Sequence, residues 1–230
     1  MAWRRLVKTV AAASAAAGVC ALVGASAPTA AAAPCPDVEV VFARGSGEPP
    51  GVGGIGGAFV DAVRSRIGDR SLAVYAVNYP ASTDFGSSDF PLTVIDGIRD
   101  AGGHIQAMAT NCPTTREVLG GYSQGAAVAG YVTSAAVPAG VPASAVPAPL
   151  APEIADHVAA VTLFGAPSDQ FLASYGAPPL AIGPPYQAKT ISLCANGDGI
   201  CGAGASPVSH ALYAVNGMTN QAADFATGRL

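Results

Sequence analysis

The sequence predicts a three-layer α/β domain built on a central, mostly parallel sheet. Three observations carry that expectation. Short apolar runs recur without polar alternation, segments with helical spacing lie between them, and Gly/Pro turns separate the two kinds of segment. An unbroken apolar run is what a strand needs when helices cover both faces of a parallel sheet, because neither face meets water.

DVEVVFA (37–43) reads as the first such strand, and GGAFVDAVRSRIG (56–68) follows with apolar residues at helical spacing. LAVYAVNY (72–79) is a second strand, stopped by Pro80, whose missing N–H cannot continue a ladder. ASTDFGSSDF (81–90) reads as a loop, and 92–111 as a helix. REVLGGYS (116–123) is a third strand running into a glycine turn, and QGAAVAGYVTSAA (124–136) is a helix of small residues. Residues 137–152 contain five prolines and no charge. VAAVTLFG (158–165) then resumes the strand rhythm, so the proline-rich stretch reads as a surface excursion within one domain rather than a linker. AKTISL (188–193) is a further strand, and 218–229 form a closing helix. In such a sheet the ligand site lies beyond the C-terminal ends of the strands.

With 230 residues, 50% of them hydrophobic and 11% charged, the chain can bury one sizeable core and is too apolar for a disordered segment. Residues 1–32 stand apart. Arg4, Arg5 and Lys8 precede a small-residue apolar run, and ASAPTAAAA supplies A-x-A sites, the pattern of a secretory signal peptide. Pro34 blocks cleavage directly before it, which places the cut after Ala32 and leaves a single domain over 33–230. The run is short and alanine-rich for a stable span, and no later segment could cross a bilayer, so no transmembrane span is expected after signal removal. Eight basic residues then face fifteen acids, a formal charge of −7 without any basic run, which excludes nucleic acid as a partner. The product is expected to be secreted and monomeric, and a cell-wall association is compatible with the same features.

Cys20 leaves with the signal, so Cys35, Cys112, Cys194 and Cys201 remain. An even number in an oxidising compartment reads as two disulfides. Three pairings are open. The short spacing favours Cys194 with Cys201, which leaves Cys35 with Cys112. Zinc is the competing use, but no C-x-x-C pair occurs.

GVGGIG (51–56) matches a dinucleotide fingerprint and fails its context. Several residues separate it from the strand, and the next strand ends in Asn78-Tyr79-Pro80 rather than an acid. GYSQG (121–125) has the context that the first motif lacks. It follows an apolar strand and opens a helix, so Ser123 sits on a tight strand-to-helix turn, with the helix N-terminus aiming N–H groups at its hydroxyl. That is the position of a nucleophile.

A serine nucleophile needs a base, and the base needs an orienting acid. His104 falls mid-helix and His157 just ahead of a strand, whereas His210 lies in a loop after the last strand. Asp198 precedes His210 by twelve residues and sits in CANGDGIC, between Cys194 and Cys201. A stapled loop holds a carboxylate still, which is what orienting an imidazole requires. Asp169 is the rival acid and has no feature to fix it. The order Ser123, Asp198, His210 is that of α/β-hydrolases. Phe85 and Phe90 in the loop after the second strand, with Ile200 and Val208 near His210, are candidates for the acyl pocket.

Together ARGSGEP near the first strand, GGYSQGAA, VTLFG, CANGDGIC and H-x-x-Y at His210–Tyr213 resemble the cutinase family of serine esterases. The likeness is strongest to the secreted cutinase-like proteins of mycobacteria and their relatives, and it spans essentially the whole mature chain. It implies an α/β-hydrolase-type, cutinase-like fold with little or no lid, and disulfides Cys35–Cys112 and Cys194–Cys201. It also implies an oxyanion hole made by the Gln124 N–H and by Ser46. Gly47 stands where many members carry Thr. The function implied is a two-step hydrolysis of short- to medium-chain acyl esters through an acyl-enzyme, on an acyl-ester or lipid substrate, with neither cofactor nor metal. The rival readings are an acetylxylan or other carbohydrate esterase, which shares the motif style, and a secreted binding or antigenic protein that kept the scaffold and lost turnover.

Overall fold

Five parallel strands in the order β2-β1-β3-β4-β5 form the sheet on which the molecule is built. They are β1 (Val38–Ala43), β2 (Leu72–Ala76), β3 (Arg116–Tyr122), β4 (Val158–Phe164) and β5 (Thr190–Leu193). The structure, a computed structural model, describes residues 34–230; the expected signal segment, 1–32, lies outside the described residues. Every residue of β1 and β4 is buried, including Glu39 and Thr162 within their otherwise apolar runs, while the edge strands β2 and β5 are only partly covered.

The pleat sends alternate side chains to opposite faces. Val40, Phe42, Val118, Ala160 and Phe164 meet α1 (Gly53–Arg64) and α7 (Met218–Thr227) through Ile55, Phe59, Val63, Ala222 and Ala226. Val41, Leu119, Val161 and Leu163 meet α2 (Phe90–Asn111) and α3 (Gln124–Val132) through Ala101, Ile105, Val128, Ala129 and Val132. The result is the three-layer α/β arrangement expected.

Three short α-helices, α4 (Asp169–Ser174), α5 (Pro184–Gln187) and α6 (Pro207–Ala211), and 3₁₀ turns at Pro152–His157 and Leu212–Ala214 complete the described residues. None was legible from periodicity, since one or two turns carry no repeat to read. His210 consequently sits on α6 and not in a loop. The helix expected over 56–68 starts at Gly53, so Gly53, Gly54 and Gly56 of GVGGIG form its first turn instead of a nucleotide cradle. The helix expected to reach 136 ends at Val132, where the Thr133 side chain donates back to the Gly130 carbonyl. Residues 137–151 form neither helix nor strand.

Strand β1 pairs with β2 on one side and β3 on the other, so the order reverses between β1 and β3. The crevice for a ligand in such a sheet opens beyond the C-terminal ends at that reversal. Ser46 follows β1 and Ser123 follows β3, which places both hydroxyls there.

The cysteines pair as Cys35–Cys112 and Cys194–Cys201, across 77 and 7 residues. Chain-entropy arithmetic gives roughly 4.5 kcal/mol for the long loop and roughly 2.5 for the short one. Replacing Cys35 and Cys112 together by Ser is therefore expected to lower the unfolding free energy in urea more than the same change at Cys194 and Cys201. Equal losses would show that loop length does not govern their contributions.

Candidate active site

Ser123 has φ 54 and ψ −117, a backbone state that L-residues rarely adopt. The neighbouring glycines make it attainable. A Cβ on Gly121 would lie 2.1 Å from the Gly125 carbonyl oxygen, and one on Gly125 would lie 2.0 Å from the Ala43 carbonyl oxygen. Strand β3, helix α3 and the end of β1 thus approach more closely than any side chain permits. The turn is locked by the Ser123 N–H donating to the Phe164 carbonyl at 2.9 Å. Ser123 stays half-buried at the sheet end, and its carbonyl accepts the Ala126 and Ala127 N–H groups of the first turn of α3 at 2.9 and 3.1 Å.

The His210 ring bridges two of the residues singled out from sequence. Its Nε2 lies 2.8 Å from Ser123 Oγ and its Nδ1 lies 2.7 Å from Asp198 Oδ2. Asp198 is 1% exposed. Its Oδ1 accepts the Ile200 N–H at 2.8 Å, and its Oδ2 also accepts the Tyr213 hydroxyl at 2.6 Å. Burial pushes the Asp198 carboxyl up, but the hydrogen bonds from Tyr213, His210 and the Ile200 N–H outweigh it and hold the group below its ordinary value. The carboxylate therefore stays ionised beside the imidazole. This arrangement can accept the hydroxyl proton at Nε2 while Nδ1 remains oriented. Asp169, the rival acid, is instead an exposed first residue of α4.

Tyr213 carried no role in the sequence reading, although the H-x-x-Y spacing marked it. It is fully buried, its hydroxyl accepts the Ala195 N–H at 3.0 Å, and it ties the Asp198 loop to the end of β5. Tyr122 was likewise missed. Its hydroxyl donates to the His210 carbonyl at 2.7 Å, holding α6 against the end of β3.

Around Ser46 the ARGSGEP stretch is braced from within. The buried Arg44 guanidinium donates to the Glu48 and Tyr79 carbonyls at 2.8 and 2.7 Å. The Glu48 carboxylate accepts the Gly45 and Gly54 N–H groups at 2.7 and 2.8 Å. Gly47 has φ +74 and donates to the Ala81 carbonyl at 2.8 Å, a backbone state that suits the glycine this chain carries there. Ser46 Oγ is buried without a hydrogen-bond partner, and Ser46 and Gln124 both line the cavity that holds Ser123 and His210.

That cavity has a volume of about 870 Å³. It runs from Ser123 between α2 and the proline-rich 137–150 stretch, and its walls are mostly apolar. Phe85, Phe90 and Ile200, expected in the pocket, line it. Val208 does not: it is 66% exposed on α6. Two residues along a helix turn the side chain by about 200°, so a helical His210 that faces Ser123 sends Val208 outward. Phe171 and Tyr175 were not foreseen. Tyr175 stands 5.9 Å from Phe85 and 5.2 Å from Phe171 by ring centroids, beside the Phe85–Phe90 pair at 4.9 Å. Their distance in sequence from the other two rings concealed this cluster.

A family model described as Cutinase matches residues 34–230. "Probable carboxylesterase Culp7" of Mycobacterium tuberculosis is 75% identical over 166 residues, covering 72% of this chain and 89% of that protein. "Phospholipase Culp4" of the same organism is 49% identical and covers 99% of this chain and 92% of its own. Among solved structures, a Trichoderma reesei cutinase in complex with a C11Y4 phosphonate inhibitor matches with a TM-score of 0.62 and 32% identity, over 85% of this chain and 77% of that one.

Tyr213→Phe removes one donor from a buried carboxylate and the acceptor of the Ala195 N–H. The expected loss is about 2 kcal/mol at neutral pH, read by urea unfolding. A lowered folded pKa stabilises above the unfolded value, near 3.8, and that contribution disappears as pH falls through the folded value. The gap between wild type and variant should therefore be full at pH 7 and narrow below pH 3.8. A gap independent of pH would show that the tyrosine acts through packing alone.

Proposed function

The chain belongs to the cutinase family of carboxylic-ester hydrolases, and from that premise we propose that Ser123, His210 and Asp198 are the nucleophile, base and orienting acid of an esterase that takes short- to medium-chain acyl esters. The observation that carries this reading is the His210 ring, hydrogen-bonded at once to Ser123 Oγ and to the buried Asp198 carboxylate.

In the first step His210 Nε2 takes the Ser123 proton as Oγ attacks the ester carbonyl. Asp198 steadies the imidazolium that forms, and Tyr213 and the Ile200 N–H keep Asp198 in place. The carbonyl oxygen gains charge as the tetrahedral intermediate forms. The Gln124 N–H, which has no intrahelical acceptor at the start of α3, and the unpartnered Ser46 hydroxyl are the donors for it. Collapse of the intermediate expels the alcohol, which receives its proton from His210. Water then enters, gives its proton to the same nitrogen and releases the acid from Ser123 by the reverse course. The acyl chain lies in the apolar cavity against Phe85, Phe90, Phe171 and Tyr175. Its volume falls in the upper part of the roughly 300–1,000 Å³ range for small-molecule sites, far more than an acetyl group needs. This favours a lipid-like acyl group over the acetylated carbohydrate of the rival reading.

We also read the mature protein as secreted. Closure of Cys35, Cys112, Cys194 and Cys201 in two disulfides supports an oxidising compartment.

Hydrolysis of p-nitrophenyl esters from acetate to palmitate tests the proposal. Turnover should peak in the medium-chain range, and Ser123→Ala should abolish both turnover and labelling by a fluorophosphonate. Ser46→Ala should lower kcat by about 10²–10³ with little change in KM, as expected for a donor used mainly in the transition state. An optimum at acetate would favour the carbohydrate-ester reading. A folded, oxidised wild type that neither turns over nor labels would leave the scaffold as a binding protein.

A further inference from the structure

At the opposite end of the sheet from Ser123, two carboxylates are buried side by side. Glu39 on β1 and Glu117 on β3 are register partners on adjacent parallel strands, and their side chains share the face covered by α2. Glu39 is 5% and Glu117 1% exposed. His104 reaches them from α2, with Nε2 2.8 Å from Glu39 Oε2. One donor atom from each of Glu39, His104 and Glu117 lies within 4.8 Å of the other two.

Such burial needs a cause. Among the described residues no cation pairs with Glu117, and neither of its carboxylate oxygens has a hydrogen-bond partner. The Lys189 ammonium donates to the Ala155 carbonyl, and the Arg116 guanidinium to the Asp156 carbonyl. A carboxylate sealed in this way costs several kcal/mol unless something neutralises it, and a second carboxylate alongside raises the cost. The imidazole is also held in position. Tyr75 stacks on the His104 ring at 3.5 Å with planes 7° apart, and the Tyr75 hydroxyl is fixed by Asp100 at 3.1 Å.

We propose that Glu39, His104 and Glu117 form a binding site for a zinc-class divalent cation, which joins β1, β3 and α2 beneath the core. Two carboxylate oxygens and one imidazole nitrogen are a donor set suited to zinc, whereas calcium and magnesium prefer oxygen alone. Tetrahedral bonds of about 2.0 Å place donors about 3.3 Å apart. Glu39 Oε2 and His104 Nε2 stand 2.8 Å apart and all three donor atoms lie within 4.8 Å of one another, separations close to that spacing. The His104 side chain is partly exposed, which leaves an ion a route from solvent. A divalent charge neutralises both carboxylates and gives Glu117 the partner it lacks. Without a cation the same role falls to a proton: burial, and then the charge of Glu39, push the Glu117 carboxyl up to about 8. The site is independent of the catalytic reading, because none of its residues lines the cavity at Ser123.

The test is zinc binding by the oxidised protein after treatment with a chelator, followed by calorimetric titration with zinc chloride at pH 7.5 and by thermal unfolding. One zinc per chain should bind and raise Tm. Glu117→Gln and His104→Asn should each weaken the apparent affinity at least tenfold. Glu117→Gln removes one of the two like charges at nearly constant shape and should fold without metal as well as wild type, so its failure to bind cannot be put down to misfolding. His210→Asn should bind as wild type does, which separates this site from the imidazole at Ser123. No zinc-dependent shift in wild type overturns the proposal, as does a shift that survives in Glu117→Gln or vanishes in His210→Asn.

Discussion

Ser123 is held in a backbone state that costs about 1–3 kcal/mol, and the upper end of the sheet is arranged to sustain it. The strain persists because three backbones converge on the turn: the end of β1 at Ala43, the end of β3 at Gly121 and the first turn of α3 at Gly125. Neither glycine position could carry a side chain without forcing those segments apart. The central strands have to be buried for the convergence to hold, and every residue of β1 and β4, on either side of β3, is buried. The tight turn and the half-buried hydroxyl at the start of α3 are then consequences of one packing constraint.

The imidazole depends on a second set of constraints that differs in kind. Asp198 comes from a loop and His210 from the short helix α6, both with little apolar surface of their own. Covalent and polar links replace packing there: the Cys194–Cys201 bridge, the Tyr213 hydroxyl shared between Asp198 and the Ala195 N–H, and the Tyr122 hydroxyl on the His210 carbonyl. Tyr213 is also one of the largest fully buried side chains and packs edge-on to Phe164, so the loops are referred back to the same core that holds the serine.

The two ends of the sheet treat polar groups in opposite ways. At the C-terminal end Ser46 Oγ and Gln124 Oε1 are buried without a partner among the described residues, and both residues line the cavity beside Ser123. At the N-terminal end Glu117 is unpartnered and sealed away from that cavity. An unsatisfied hydroxyl at a cavity can still find a partner in whatever enters it. An unsatisfied carboxylate beneath a helix calls for a resident counter-charge.

The sequence by itself determined the parallel α/β layering, the order of the strands along the chain and the elbow at Ser123. These follow from local rules: unbroken apolar runs, helical spacing, and glycines on both sides of a serine at a strand–helix boundary. It also marked Asp198, because two cysteines seven residues apart announce a stapled loop. Only the tertiary structure decided the rest. The short helices carrying His210 and Phe171 have too few turns to show a period, so the outward direction of Val208 and the aromatic cluster at Tyr175 could not be read. The support given by Tyr213 and Tyr122, and the meeting of Glu39, Glu117 and His104, join segments tens of residues apart. Sequence patterns report the periodicity of one segment at a time, whereas these contacts depend on which strands lie side by side and on where α2 crosses them.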